Sequence, residues 1–153
     1  MKVLIADLFS QAAILEMTNA GIDVTYNDKL AGDAFKAAME QVQPNVLVVR
    51  SKKVDAAIIN ASQKLQLIVR AGAGVDTIDV AHAAKRGIYV ANCPGKNANA
   101  VSELTIGLIL SIDRRMAEGN QLLHEGKWNK GMFANCKGIK GRTLGLIGFG
   151  NIA

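Results

Sequence analysis

Short apolar runs alternate with helical patterns five times in about the first 92 residues, and no other feature limits the fold as tightly. Residues 2–6 read as a strand closed by Asp7. Residues 11–20 read as a helix that Ser10 caps and Gly21 stops. Residues 22–26 are the second strand. Phe35, Met39 and Val42 fall at i, i+4 and i+7, one face of a helix ending before Pro44. Residues 46–49 are a continuous apolar run, as a strand covered on both faces requires. A short helix over 54–61, a strand over 67–69, a helix over 78–85 stopped by Gly87 and a strand over 88–91 complete the series. Parallel strands need crossovers, and helices supply them, so the expected fold is α/β with a flavodoxin-like parallel sheet.

The rhythm breaks at residues 93–99, which read as a linker. Beyond it Val101, Leu104, Leu108, Ile112 and Met116 hold one face of a long helix, while Ile106, Ile109 and Leu110 make much of the other side apolar. A helix apolar nearly all round is expected to be buried, between domains or between subunits. A second, polar helix is expected over 121–128 and a further strand over 143–147.

Composition narrows the function. Half of the 153 residues are hydrophobic, so the chain can build a core, and the net charge of +5 suits an anionic substrate or cofactor. Basic residues cluster at 50–53 and 137–142, but no aromatics interleave with them, which argues against nucleic acid. Cys93 and Cys136 lack CxxC spacing, so neither a metal site nor a disulfide framework is expected, and a reducing cytoplasm fits. The N-terminal apolar run is too short for a signal peptide, and residues 104–110 fall far below the ~20 residues of a membrane span.

Two glycine turns follow strands. Gly148-Phe149-Gly150 succeeds residues 143–147 in the manner of a dinucleotide-binding turn, in which Gly148 makes the turn, Gly150 admits the pyrophosphate, and the amides of Asn151 and Ile152 open a helix toward that charge. Gly72-Ala73-Gly74 follows the fourth strand at the edge where open sheets bind ligands. Its amides can face an anion directly, or its glycines can simply serve a turn that needs positive φ. Arg50 and Ser51 end the third strand on the same rim, where an arginine either clamps an anion or is an ordinary surface residue. His82 and His124 lack a carboxylate relay and read as surface residues. Asp7 resembles the start of a receiver domain, but strand three ends in Arg50 where that domain needs an aspartate.

The motifs Val49-Arg50-Ser51-Lys52-Lys53-Val54-Asp55, Arg70-Ala71-Gly72-Ala73-Gly74-Val75-Asp76, Asn97 with Val101-Ser102-Glu103-Leu104, Gly126-Lys127-Trp128 and Ile147-Gly148-Phe149-Gly150-Asn151-Ile152 stand in one order. Together they resemble the D-isomer-specific 2-hydroxyacid dehydrogenases, and most closely their phosphoglycerate dehydrogenase branch. The resemblance implies a substrate domain over 1–98 and the start of a Rossmann nucleotide domain from 99, with the sequence stopping inside the cofactor turn of a longer enzyme. It implies NAD-dependent oxidation of a D-2-hydroxy acid, 3-phosphoglycerate first among the candidates, which is the opening step of serine synthesis. It places Arg50, Ser51, Gly72, Ala73, Gly74 and Asn97 at the substrate, with Ala73 also near the nicotinamide. Gly148, Gly150, Asn151 and Ile152 would meet NAD, and Lys130 would approach a partner subunit's site. The long helix would join subunits of a homodimer. The family's catalytic arginine and its histidine–glutamate pair have no counterpart in these residues, so the chain alone is expected to be inactive. Ser102 departs from the alanine common in relatives.

Two other readings stay open: another enzyme of the family, such as a glyoxylate or hydroxypyruvate reductase, and a dehydrogenase-like NAD-sensing corepressor, which the basic Arg50-Ser51 rim disfavours. A stand-alone binding module is disfavoured by the uncovered apolar surface of residues 104–110. NAD and NADP are not separable without the acid that reads the ribose.

Overall fold

The computed structural model describes residues 1–153, which form two compact units, Met1–Lys96 and Asn97–Ala153. The first unit is an α/β sheet domain. Its elements run β1 (Lys2–Ile5), α1 (Gln11–Asn19), β2 (Asp23–Tyr26), α2 (Gly32–Val42), β3 (Val46–Val49), α3 (Ala56–Asn60), β4 (Leu67–Arg70), α4 (Val80–Lys85) and β5 (Tyr89–Ala91). All pairings are parallel, and the order β2-β1-β3-β4-β5 is the flavodoxin-like one that the alternation implies.

Local signals set the helix ends. Ser10 caps α1 by accepting from the Ala13 amide, and Gly21 leaves the helix at φ +78°, where a side chain would be strained. Asp55 and Asp79 cap α3 and α4 in the same way. The two faces of the sheet are covered unequally. Leu4, Leu47, Val49 and Ile68 pack with Phe35, Met39, Ile58, Ile59 and Ala83 from α2, α3 and α4. The opposite face buries only Val3, Ile5 and Val48, against half-buried residues that include Ile14 and Met17 of α1.

Two helices start later than the sequence implies. Val54 and Ile78, expected as helical, instead form an isolated parallel bridge, with the Val54 amide bonded to the Thr77 carbonyl at 2.8 Å. Both are buried, and burial of two β-branched residues side by side outweighs one extra helical turn.

The second unit holds α5 (Ala98–Asp113), α6 (Met116–His124) and a 3₁₀ turn, Lys130–Phe133. The single long helix expected through Met116 is broken at Arg115, which sits in the left-handed region at φ +51°. Its guanidinium holds that conformation, pairing with both Glu118 oxygens at 2.6 Å, bonding the Met132 carbonyl and lying over the Phe133 ring. The second helix accordingly begins at Met116, not 121, and ends at His124. The strand expected over 143–147 does not form, and Ile147 is fully exposed. A strand is held by the ladder it makes with a neighbour, and no second strand exists in this unit to supply one. The apolar face of α5, expected to be buried, is open within its unit: Leu104, Leu108 and Ile112 are all exposed. No helix is long and apolar enough to cross a membrane.

Candidate functional site

The carboxyl ends of β1, β3, β4 and β5 make one rim, which carries Asp7, Arg50, the glycine loop 72–74 and Asn92. In open parallel sheets this is the edge where ligands bind, because loops there fan apart and backbone N–H groups face outward.

The end of β1 supplies Asp7, which is only 9% exposed. Its Oδ2 accepts from the amides of Arg50, Ser51 and Lys52 at 3.0, 2.6 and 3.1 Å and from the Ser51 hydroxyl at 3.1 Å. Burial pushes this carboxyl upward, but the backbone donors, led by Ser51, outweigh it and hold Asp7 at about 2, below its usual 3.8. Arg50 is exposed and pairs with no carboxylate.

Arg70 ends β4 beside Val49 of β3, so the arginines at positions 50 and 70 leave adjacent strands. The Arg70 guanidinium lies under the glycine loop: a Cβ on Gly72 would stand 2.5 Å from its Nη1 and 2.8 Å from Cζ. Its Nε is buried without a hydrogen-bond partner, and the side chain makes no ion pair. Neither Gly72 nor Gly74 has a positive φ, so of the readings open for this turn, the need for left-handed backbone fails. Gly72 instead makes room for Arg70, and Gly74 for the Asp76 carboxylate.

The loop's polar groups are partly used internally. The Gly72 amide bonds to the Arg70 carbonyl at 2.8 Å, whereas the amides of Ala73 and Gly74 have no acceptor within the protein. The end of β5 ties down the opposite polarity: Asn92 Nδ2 donates to the Ala73 carbonyl at 2.6 Å, and the Cys93 amide to the Gly72 carbonyl at 2.9 Å. With its carbonyls held and two amides free, the loop is poised to donate to an anion.

Thus the first unit brings Arg50, Ser51, Gly72, Ala73 and Gly74 to one rim, and adds Asp7, Arg70 and Asn92. Those three are quiet in sequence. Arg70 stands inside the motif but ends a strand that is otherwise apolar, and Asp7 is a lone acid closing a buried one. The remaining candidates belong to the second unit. Asn97 precedes α5 and makes no side-chain capping bond. Gly148 takes φ +93°, a conformation that favours glycine, although no strand precedes it, and the Asn151 and Ile152 amides have no protein acceptor. No helix follows, however; the Ala153 amide turns back to the Gly150 carbonyl, and Ser102 Oγ lies 2.6 Å from the Ile152 carbonyl. Lys130 is exposed at the start of the 3₁₀ turn. His82 is held by Asn60 at the far end of α3, and His124 is exposed on α6.

The family model for the D-isomer specific 2-hydroxyacid dehydrogenase catalytic domain matches residues 3–147, and the chain belongs to that family. Among curated relatives, a hydroxypyruvate reductase of Thermotoga maritima is 44% identical over 95% of this chain and 46% of its own length. A D-3-phosphoglycerate dehydrogenase of Archaeoglobus fulgidus is 37% identical over 99% of this chain and 28% of its own. A solved NAD⁺-bound 3-phosphoglycerate dehydrogenase of Entamoeba histolytica superposes with a TM-score of 0.63 at 33% identity, covering 72% of this chain and 38% of that one. The chain therefore spans less than half the length of these relatives.

The Asp7 contacts have a consequence for acid stability. A carboxyl held below its unfolded value stabilises the fold fully above that value and loses the contribution as pH falls through the folded one. For Asp7 the window runs from 3.8 down to about 2, and the contribution is on the order of 2 kcal/mol. Urea unfolding of the wild-type chain should weaken across this window, and Asp7→Asn should remove that share of the slope. Identical acid limbs in the two proteins would show that the carboxylate is not so held.

Proposed function

We propose that this chain is the substrate-binding part, with the beginning of the nucleotide-binding part, of an NAD-dependent dehydrogenase that oxidises 3-phosphoglycerate to 3-phosphohydroxypyruvate. The observation that carries the reading is the pairing of Arg50 and Arg70 on adjacent strand ends, neither bound to a carboxylate, beside the free amides of Ala73 and Gly74. A substrate with a carboxylate at one end and a phosphate at the other needs two such donor groups. A guanidinium suits either anion because its planar fork matches two oxygens at once.

In this reading Arg50, Ser51, Gly72, Gly74 and Asn97 serve the substrate, Gly72 by leaving room for Arg70, and the Ala73 amide serves the substrate or the nicotinamide. The free amides after Gly148 and Gly150, at Asn151 and Ile152, suit a pyrophosphate, which supports NAD in that role. NAD when bound supplies the acceptor for the hydride from C2. The residues of this chain bind and orient, and the 153 residues alone should not turn over. The same reading makes the working protein a cytoplasmic homo-oligomer in serine synthesis, joined through α5.

The 44% identity to a hydroxypyruvate reductase favours a second reading, in which the substrate lacks the phosphate. Titration of the chain with 3-phosphoglycerate and with D-glycerate, followed by amide NMR, separates the two. The first reading expects the phosphate to tighten binding by about tenfold or more, the worth of one charge-assisted hydrogen bond of roughly 1.5–3 kcal/mol. Equal affinities would favour the reductase. In the complete enzyme Arg50→Ala should raise KM for the acid about tenfold or more and leave KM for NAD in place; an unchanged KM for the acid would make Arg50 an ordinary surface residue.

A further inference from the structure

Three successive amides, of Arg50, Ser51 and Lys52, converge on a single point after β3. Such an arrangement is an anion nest, and a loop of this kind would normally offer it to a ligand. Here the point is already filled from within the chain by Oδ2 of Asp7, while Oδ1 accepts from the Leu8 amide at 2.9 Å. The donors come from more than forty residues away, in the loop after a strand that pairs directly with β1.

The Ser51 hydroxyl completes the arrangement. An ionised carboxylate has no proton to give, so the hydroxyl is the donor in the 3.1 Å bond to Asp7. Its one proton is thereby committed, and only its lone pairs face outward. The loop is left with side-chain cations as its donors toward solvent: Arg50, Lys52 and Lys53, none of them ion-paired.

We infer that Asp7 is a positioning residue for the substrate rim: it fills the amide nest after β3 with an internal carboxylate, fixes the backbone from which Arg50 projects, and presents Ser51 to a ligand as a hydrogen-bond acceptor. The inference rests on the reading of this rim as the substrate site. Its chemical consequence is that a bound anion meets the Arg50 guanidinium and not the loop amides. The partner suited to Ser51 is a hydroxyl of the ligand, not a carboxylate oxygen, because two acceptors repel.

The test is amide hydrogen exchange and NMR titration with 3-phosphoglycerate on the 153-residue wild type, on Asp7→Asn and on Arg50→Ala. In the wild type the amides of residues 50–52 should exchange slowly although they lie next to solvent. In Asp7→Asn that protection should fall, and Kd for 3-phosphoglycerate should rise about tenfold. In Arg50→Ala Kd should rise while the protection stays, because the backbone bonds remain. A ligand response that Arg50→Ala abolishes and Asp7→Asn leaves untouched would overturn the Asp7 inference alone. A response indifferent to both substitutions would overturn the site reading. If Asp7→Asn does not fold, the wild type decides: under saturating 3-phosphoglycerate the three amides must keep their protection, and the Arg50 side-chain Nε must show the shift. Amides that release Asp7 to take the anion would overturn the inference.

Discussion

Leu47→Ala should lower the unfolding free energy by about 2–5 kcal/mol, a large part of the roughly 5–15 kcal/mol that holds a domain together. Leu47 is in the middle strand of five and is fully buried. Register places it between Leu4 and Ile68, so the three side chains form one row across β1, β3 and β4. Met39 and Ile59 belong to the same core cluster. Removing the isobutyl group leaves a void that strands tied on both sides cannot close, and the cost of the void adds to the lost transfer energy. Val69→Ala is the comparison, because Val69 lies on the other face and is only half-buried; its cost should stay near about 1 kcal/mol. Urea unfolding with unchanged m-values reads both. If Leu47→Ala costs no more than Val69→Ala, the two faces are equally packed and the core has been misplaced.

The parts of the fold that sequence made legible are those set by neighbours along the chain. Ser10 and Gly21 mark α1 because capping and left-handed exit are local demands. The strand order follows because alternating elements leave few topologies. The parts that failed depend on partners far away. Residues 143–147 have the composition of a strand, but composition cannot supply a neighbouring ladder. Val54 left the helix expected for it because Ile78 stands beside it in space. The break at Arg115 depends on Phe133 and Met132, more than a turn beyond the expected helix. The site divides in the same way. The glycine loop and Arg50 were visible because strand ends and glycines announce a rim. Asp7 was not, since its meaning comes from four donors 43 to 45 residues distant. Arg70 was visible only as a letter in a motif; that its Nε is buried and unpartnered is a fact of packing.

The chain should associate with a second copy of itself through α5. Leu104, Leu108 and Ile112 recur every fourth residue, so they form one stripe, and they are 61, 52 and 78% exposed. Burying a large apolar side chain fully is worth about 1.5–3 kcal/mol. Six such side chains, three from each copy in a two-fold contact, start half or more exposed and would recover roughly 5–12 kcal/mol. Association costs about 4–15 kcal/mol in lost freedom, and micromolar to millimolar association needs a surplus of about 4–8 kcal/mol, which the favourable end of both ranges supplies. Sedimentation should therefore show a mass above 16.2 kDa that grows with concentration. Because the contact is apolar, added salt should not dissolve it; a contact made of ion pairs would weaken. Leu108→Glu sets a charge in the middle of the stripe at a position already half in water, so the variant should fold and stay nearer the monomer mass. A wild type that sediments at the monomer mass at every concentration would sink the idea, and so would a Leu108→Glu variant that associates as the wild type does.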